Sequence, residues 1–448
     1  MRIHFVSLGC DKNLVDSEIM LGLIKEEGYI ITQEESEADI IIINSCGFIA
    51  DATQEGIDVV INAGVQKKEG TCKAIIVTGC MAQRYKEEIF KELPEVDAVV
   101  GTGDFERIGE VIKEVLSKKE EKLSYITNGS SLQSDKNNLK RVLSNAGYFA
   151  YLKIAEGCDN ACTYCTIPSI RGKYKSRKQE SIIEEAEKLA KDGVKELILV
   201  AQDTALYGKD LYGESKLHEL LRKLSEIKEI EWVRIMYCYP EHITKETIKE
   251  MAENEKICKY LDMPIQHSDD KILKMMGRKS TEKKLRQVLE MLREAMPEIA
   301  IRTTLIVGFP NETEQEFKNL LSFVQEMKFD RLGVFEYSRE EGTKSFNMAN
   351  QVEDEVKAQR KEEIMLKQQE ITAEKNKDLI GKKFKVIVDG KLTEQDVYCG
   401  RTYRDSYEVD SLVFFESEFD IITGEFREVV ITESSEYDLV GEIFYEFS

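Results

Sequence analysis

Short apolar runs rich in β-branched residues punctuate the first hundred positions: IHFVSL, ADIIIINSC and AIIVTGC. Each is shorter than a buried helix, crowded with Ile and Val, and closed by Gly or a polar residue, so each predicts a buried strand. The stretches between them, such as SEIMLGLIKEEGY, have helical spacing. Strand–helix–strand alternation predicts an open parallel sheet over residues 1–116. Residues 117–145 are polar, with Ser and Asn clusters and little periodicity, and read as a linker.

A second alternating series fills residues 146–375. Its candidate strands are FAYLKIAEG, KELILVAQD, VRIMYCYP, KYLDMPIQH, IAIRTTLIVGFP and RLGVFEYS. Six strand-plus-helix units predict a full or partial (βα)6 barrel of the TIM type. The charged stretch VEDEVKAQRKEEIMLKQQEITAEKNKD, free of Pro and Gly, predicts one long helix. Residues 376–448 change character. KFKVIVDG, SYEVD, LVFFE and EVVIT are short strands split by turns, which predicts a small all-β, OB-like barrel.

The chain has 448 residues, 42% hydrophobic and 33% charged, an ordinary globular composition. Its 63 Lys+Arg against 84 Asp+Glu give a formal charge of −21, so a generic phosphate-backbone binder is excluded. No apolar run reaches the ~20 residues that cross a bilayer. The opening MRIHFVSLGCDKN turns polar too soon for a signal peptide, so a reducing cytoplasm is expected. Ten cysteines in that compartment point to metal ligands, catalytic groups or apolar fillers rather than disulfides.

Three of them form Cys158-x3-Cys162-x2-Cys165, on a loop after the first barrel strand. Thiolates are soft ligands for iron–sulfur clusters or zinc, and a closed zinc site takes four ligands. Three cysteines without a nearby His leave one metal position open, which an iron–sulfur cluster accommodates; a zinc knuckle with a distant fourth ligand is the competing reading. Cys10, Cys46 and Cys80 each follow the carboxyl end of a candidate parallel strand, where open α/β sheets bind ligands. They are expected to converge as a second three-thiolate site, the alternative being three small buried side chains. Cys72, Cys238, Cys258 and Cys399 have no such placement and read as structural.

C-x3-C-x2-C with Tyr164 before the last Cys resembles the radical S-adenosylmethionine (SAM) superfamily. With SLGCDKNLVDSEIMLG, NSCGFI, EGCDNACTYCTIPSIRGKYKSR, DMPIQH, LIVGFPNET and YSREEGT, nearly the whole chain resembles the methylthiotransferase family. That resemblance implies an N-terminal cluster domain, a radical SAM core and a TRAM barrel. It implies two 4Fe–4S clusters, one on Cys158, Cys162 and Cys165 that binds SAM and one on Cys10, Cys46 and Cys80 that carries sulfur. One branch of the family thiomethylates adenosine in transfer RNA; the other, an aspartate β-carbon in ribosomal protein S-twelve. The GC-x-KNLVDSE-x-MLG opening is similar to the second branch, with Asp11 where Pro is usual. Asn311 replaces the Gly of the usual GFPGET, and Asn tolerates the positive φ a Gly-like turn requires.

Charge adds an independent argument. Residues 376–448 carry 8 Lys+Arg and 17 Asp+Glu, a net of −9, which suits a basic ribosomal protein better than RNA. The resemblance implies a low-potential electron donor as partner, with no membrane and no strong direct nucleic-acid binding expected. Candidate SAM contacts at the barrel mouth are Tyr164, Gln202, Asp203, Gln266 and Arg302, with His267 and Thr304 beside them and Glu336 and Ser338 weaker. The basic run RGKYKSRK reads as solvated charge, with guidance of a substrate as the alternative.

Overall fold

The computed structural model describes residues 1–118, 121–127, 141–392 and 396–445. The N-terminal strands are β1 (Arg2–Ser7), β2 (Ile30–Thr32), β3 (Ile40–Ser45), β4 (Ala74–Gly79), β5 (Ala98–Val100) and β6 (Leu123–Tyr125). All are parallel, in the order β2-β1-β3-β4-β5-β6. β3 and β4 are buried along their whole length, which is why they read as unbroken apolar runs. Leu123–Tyr125 lies within the span expected to be a linker, yet adds the sixth strand; three residues are too few to show a period.

The central sheet comprises β7 (Phe149–Lys153), β10 (Glu196–Val200), β11 (Trp232–Ile235), β12 (Ile257–Asp262), β13 (Ala300–Val307) and β14 (Arg331–Glu336). A two-residue pairing of β8 (Ala155–Glu156) with β9 (Lys175–Ser176) brackets the Cys158 loop. The six long strands are parallel and in sequence order, and β7 does not pair with β14, so the barrel is partial. Alternation along each strand sorts the side chains. Ala150, Leu152, Leu197 and Leu199 face the outer helices. Phe149, Tyr151, Ile198 and Val200 face inward, in one cluster with Ile3, Val15 and Ile19 of the N-terminal domain. The two domains therefore share a core.

Helix Asp354–Lys377 leads to a closed five-stranded barrel of β15 (Lys383–Lys391), β16 (Val397–Arg401), β17 (Val413–Glu416), β18 (Phe426–Ser434) and β19 (Leu439–Ile443). SYEVD, expected to be a strand, is instead a turn segment. Its polar atoms are drawn off to other partners: Asp410 accepts from the Ser406 N–H at 2.9 Å and from the Tyr260 hydroxyl at 2.7 Å. VYCGR takes the strand position, and parallel pairing of β17 with β19 closes the ring.

The small barrel docks on the amino-terminal ends of the central strands through buried ions. Arg401 bonds Asp389 at 2.9 Å and Glu196 at 2.9 Å; Glu196 also accepts from Arg234 at 2.7 Å, and all three cross-domain partners are fully buried. Arg331 reaches Asp405 at 2.5 Å. Truncating one member of such a set leaves a charge buried without its partner. Arg401→Ala is expected to cost about 3–5 kcal/mol, read as a lower midpoint in urea denaturation. A midpoint equal to wild type would show that the docking contributes nothing to stability.

Candidate active site

The cysteines take their positions from the strand ends. Cys46 directly follows β3, and Cys80 directly follows β4 and opens a short helix. Cys10 lies three residues past β1 and precedes the helix Asp11–Glu26. β1, β3 and β4 are neighbours, so the three loops pack side by side. Glycine makes this possible. Gly9 has φ +91, and a Cβ there would lie 3.0 Å from the Cys46 Cβ; a Cβ on Gly47 would lie 2.8 Å from the Met81 backbone. Cys10, Cys46 and Cys80 are close enough that each of the first two raises the proton affinity of the Cys80 thiol. Burial is the larger cause and pushes Cys80 up to about 12.

The second trio sits on the loop between β8 and helix Ile167–Arg171. The loop is pinned from outside. Thr163 donates its N–H to Met276 O at 2.9 Å and its hydroxyl to Met275 O at 2.8 Å, while its own carbonyl accepts from the Ser345 N–H at 2.9 Å. Ile167 N–H donates to Cys165 Sγ at 3.4 Å. Cys158 is pushed up by burial to about 11, and Cys165 is raised further by the same cause. Buried thiols of this kind stay protonated until a metal takes them as thiolates. Among the described residues no three His, Cys, Asp or Glu side chains converge tightly enough to grip a single ion. A zinc ion needs its sulfurs at about 2.3 Å, whereas a cluster several atoms wide takes thiolates that stand apart. Two all-sulfur trios fit iron–sulfur clusters in donor chemistry.

Buried ions join the trios. Lys153, at the end of β7, bonds Glu156 at 2.8 Å and also Asp16 of helix Asp11–Glu26. Arg171 donates to Glu156 at 2.9 Å, Asp16 at 3.1 Å, Asn13 Oδ1 at 2.7 Å and Cys80 Sγ at 3.5 Å. Burial alone would raise the Glu156 carboxyl, but Arg171 and Lys153 outweigh it and hold it at about 2. A second tie lies beyond Cys46: Glu340 accepts from Arg84 at 2.9 Å and from the Ala50 N–H at 2.9 Å, and Arg84 donates to Gly47 O at 2.9 Å.

The SAM-contact candidates fall in different places. Tyr164 packs edge-on against Phe309 with ring centroids 6.5 Å apart, beside Cys162. Gln202 donates to Glu156 Oε1 at 3.0 Å, leaving its own buried Oε1 without a partner. Asp203 pairs with His242 Nδ1 at 2.6 Å and accepts from Asn160 at 3.3 Å; its other oxygen has no partner. Gln266 takes φ +69, and its backbone bridges to Leu305. Arg302 is committed elsewhere, to Asp262 at 2.9 Å and Asp410 at 3.4 Å. Thr304 Oγ1 accepts from Arg302 at 3.3 Å, Ser338 bonds Glu340, and Glu336 pairs with Lys361 at 3.4 Å. His267 is fully buried; desolvation lowers it to about 4, and its Nδ1 accepts the Asp269 N–H at 2.9 Å. Asn311 has φ +68, the conformation its Gly-like place requires.

The run RGKYKSRK departs from its expected role as solvated charge: Arg171, Tyr174, Ser176 and Arg177 are buried, while Lys173, Lys175 and Lys178 face outward. Alternation of Arg with Lys was the available signal, since Arg is the residue of buried ion pairs. Sequence reasoning also missed Arg278, buried over the Tyr239 ring at 4.1 Å with Nη1 unpartnered. A separate cleft of about 1010 Å³, lined by Arg293, Lys382 and Arg404, lies between the two barrels and contains none of these cysteines.

Three family models tile the chain. Radical SAM superfamily matches residues 152–324, Uncharacterized protein family UPF0004 matches 2–101, and TRAM domain matches 380–444. The fold is similar to the solved radical S-adenosylmethionine methyltransferase TsrM from Kitasatospora setae (TM-score 0.55, 12% identity, 75% of this chain and 74% of that one). It is also similar to the cobalamin-dependent S-adenosylmethionine radical enzyme OxsB (TM-score 0.53, 13% identity, 82% and 56%). Fold and family models together define a radical SAM enzyme whose cofactors are 4Fe–4S clusters and SAM. Proteins named ribosomal protein uS12 methylthiotransferase RimO are far closer. That of Lachnoclostridium phytofermentans is 50% identical over 98% of this chain and 99% of its own, and that of Clostridioides difficile 48% identical over 100% of both. The chain belongs to the RimO family of radical SAM methylthiotransferases.

Breaking the tie beyond Cys46 has a local signature. Glu340→Ala is expected to raise amide hydrogen exchange over residues 47–50 while the Cys158 loop, pinned by Met275, Met276 and Ser345, stays protected. Equal exchange in both proteins would show that Glu340 does not hold the loop.

Proposed function

We propose that the protein inserts a methylthio group at the β-carbon of an aspartate in ribosomal protein uS12, giving 3-methylthioaspartate. In this reading Cys158, Cys162 and Cys165 hold the SAM-binding cluster, and Cys10, Cys46 and Cys80 hold the cluster that carries the sulfur. The observation that supports it best is the direct junction of the two trios: Arg171, six residues after Cys165, donates to Cys80 Sγ at 3.5 Å. The bound groups supply reductive cleavage of SAM to a 5′-deoxyadenosyl radical and a sulfur atom for methylation and transfer.

The chain's own residues do the rest. A primary radical attacks almost any C–H bond, so the target must be positioned and water excluded. The buried ions Asp16, Lys153, Glu156 and Arg171 orient the N-terminal domain on the barrel, and the shared apolar core adds buried area. Tyr164, Gln202, Asp203 and Gln266 are the proposed SAM contacts; Gln202 and Asp203 each keep a buried oxygen free to accept from a ligand. Arg278 joins them through its unpartnered Nη1, a donor suited to a carboxylate. Arg302, the fifth candidate, already bonds Asp262 at 2.9 Å and faces Asp410 of the small barrel at 3.4 Å.

The protein substrate, a low-potential electron donor and a cytoplasmic location complete the proposal. Among the described residues no helix is long and apolar enough to cross a membrane. The acidic small barrel favours a basic ribosomal protein over transfer RNA.

Two measurements test this. Reconstituted protein is expected to contain iron and acid-labile sulfide for two 4Fe–4S clusters, and a variant with Cys10, Cys46 and Cys80 all changed to Ala for one. With SAM and a reductant, a uS12 peptide is expected to gain one methylthio group in place of hydrogen by mass spectrometry. Modification of transfer RNA adenosine and not of the peptide would overturn the substrate, and a single cluster in the wild type would overturn the site.

A further inference from the structure

Arg171 belongs by sequence to the radical SAM loop and by contact to the other site. It is 1% exposed, and its two terminal nitrogens divide their bonds between domains. Nη1 donates to Glu156 of the barrel and Asp16 of the N-terminal domain; Nη2 donates to Asn13 Oδ1 and Cys80 Sγ. Within the quartet of Lys153, Arg171, Asp16 and Glu156, two cations balance two carboxylates. A ligated Cys80 thiolate is then an additional negative charge, facing a guanidinium that has no solvent to screen it.

We infer that Arg171 is a positioning residue that sets the reduction potential of the cluster held by Cys10, Cys46 and Cys80, through its N–H···S bond and its buried charge. The inference rests on the assignment of those cysteines as cluster ligands. Hydrogen bonds to the sulfurs, net charge and burial are the levers by which a protein tunes an iron–sulfur potential, and all three act at Cys80. Reduction adds an electron and hence negative charge. The buried cation therefore favours the reduced form, and the carboxylates behind it oppose that effect. Removing charges of opposite sign has opposite consequences, which a purely structural role does not produce. Because the same side chain anchors the segment leading out of the Cys158 loop, it also holds the tuned site at a fixed distance from the SAM-binding site.

The experiment is a potentiometric titration of the reconstituted full chain, followed by electron paramagnetic resonance. The SAM-binding cluster is distinguished by the change in its signal when SAM is added. Arg171→Gln is expected to lower the potential of the other cluster, Arg171→Lys to lower it less, and Asp16→Asn to raise it, with the SAM-responsive cluster moving least in each. If Arg171→Gln does not fold or load, Asp16→Asn decides alone. Two clusters present with the second potential unmoved by Asp16→Asn, or shifted in the same direction by Asp16→Asn and Arg171→Gln, would overturn the inference. Iron for only one cluster in the unmodified protein would instead overturn the cysteine assignment on which it rests.

Discussion

Four buried ions decide how this molecule is put together. Asp16, Lys153, Glu156 and Arg171 come from both major domains, and none has an appreciable view of solvent. Each would be costly to bury alone, and none is alone: every carboxylate meets both cations. Such a set has no good half-formed state, because pulling the domains apart strands charges of both signs. The relative placement of the two cysteine trios is thus an electrostatic consequence of where one lysine and one arginine lie next to the Cys158 loop. Apolar packing between Ile3, Val15 and Ile19 and the inner face of the barrel adds area but little direction.

The same logic recurs at the other end of the barrel with different residues. Glu196 and Arg401 join the small barrel to the central strands as Asp16 and Arg171 join the N-terminal domain. Both junctions put arginine between carboxylates, where its planar fork satisfies more than one acceptor at once. The central barrel is held at both rims by bonds that demand geometry, a sound way to build a site that has to confine a radical.

The strands carrying the cysteines were legible because β3 and β4 are buried on both faces and so read as unbroken Ile and Val runs. The chemistry at their ends followed from topology: in a parallel sheet the carboxyl ends share one edge. The ion quartet was not legible. Asp16 and Lys153 are 137 positions apart, and nothing local marks either as buried. Arg302 was chosen as a ligand contact because it lies on a barrel strand; it bonds Asp262 of the neighbouring strand at 2.9 Å and faces Asp410 of another domain at 3.4 Å, and no sequence pattern marks either partner. SYEVD alternates like a strand, but Asp410 accepts from the Ser406 N–H within the segment and from the distant Tyr260 hydroxyl, and the segment folds as a turn. A strand such as β6, three residues long, offers too few residues for a period to show.

The height of the central barrel has a bearing on the shape of whatever is modified. The small barrel is fastened at the amino-terminal ends of the strands, where Glu196 begins β10, while both cysteine trios sit beyond the carboxyl ends. Five residues of strand separate the two rims, roughly 17 Å at 3.3 Å per residue. A partner that touches both the small barrel and the cysteine rim therefore spans the length of that strand.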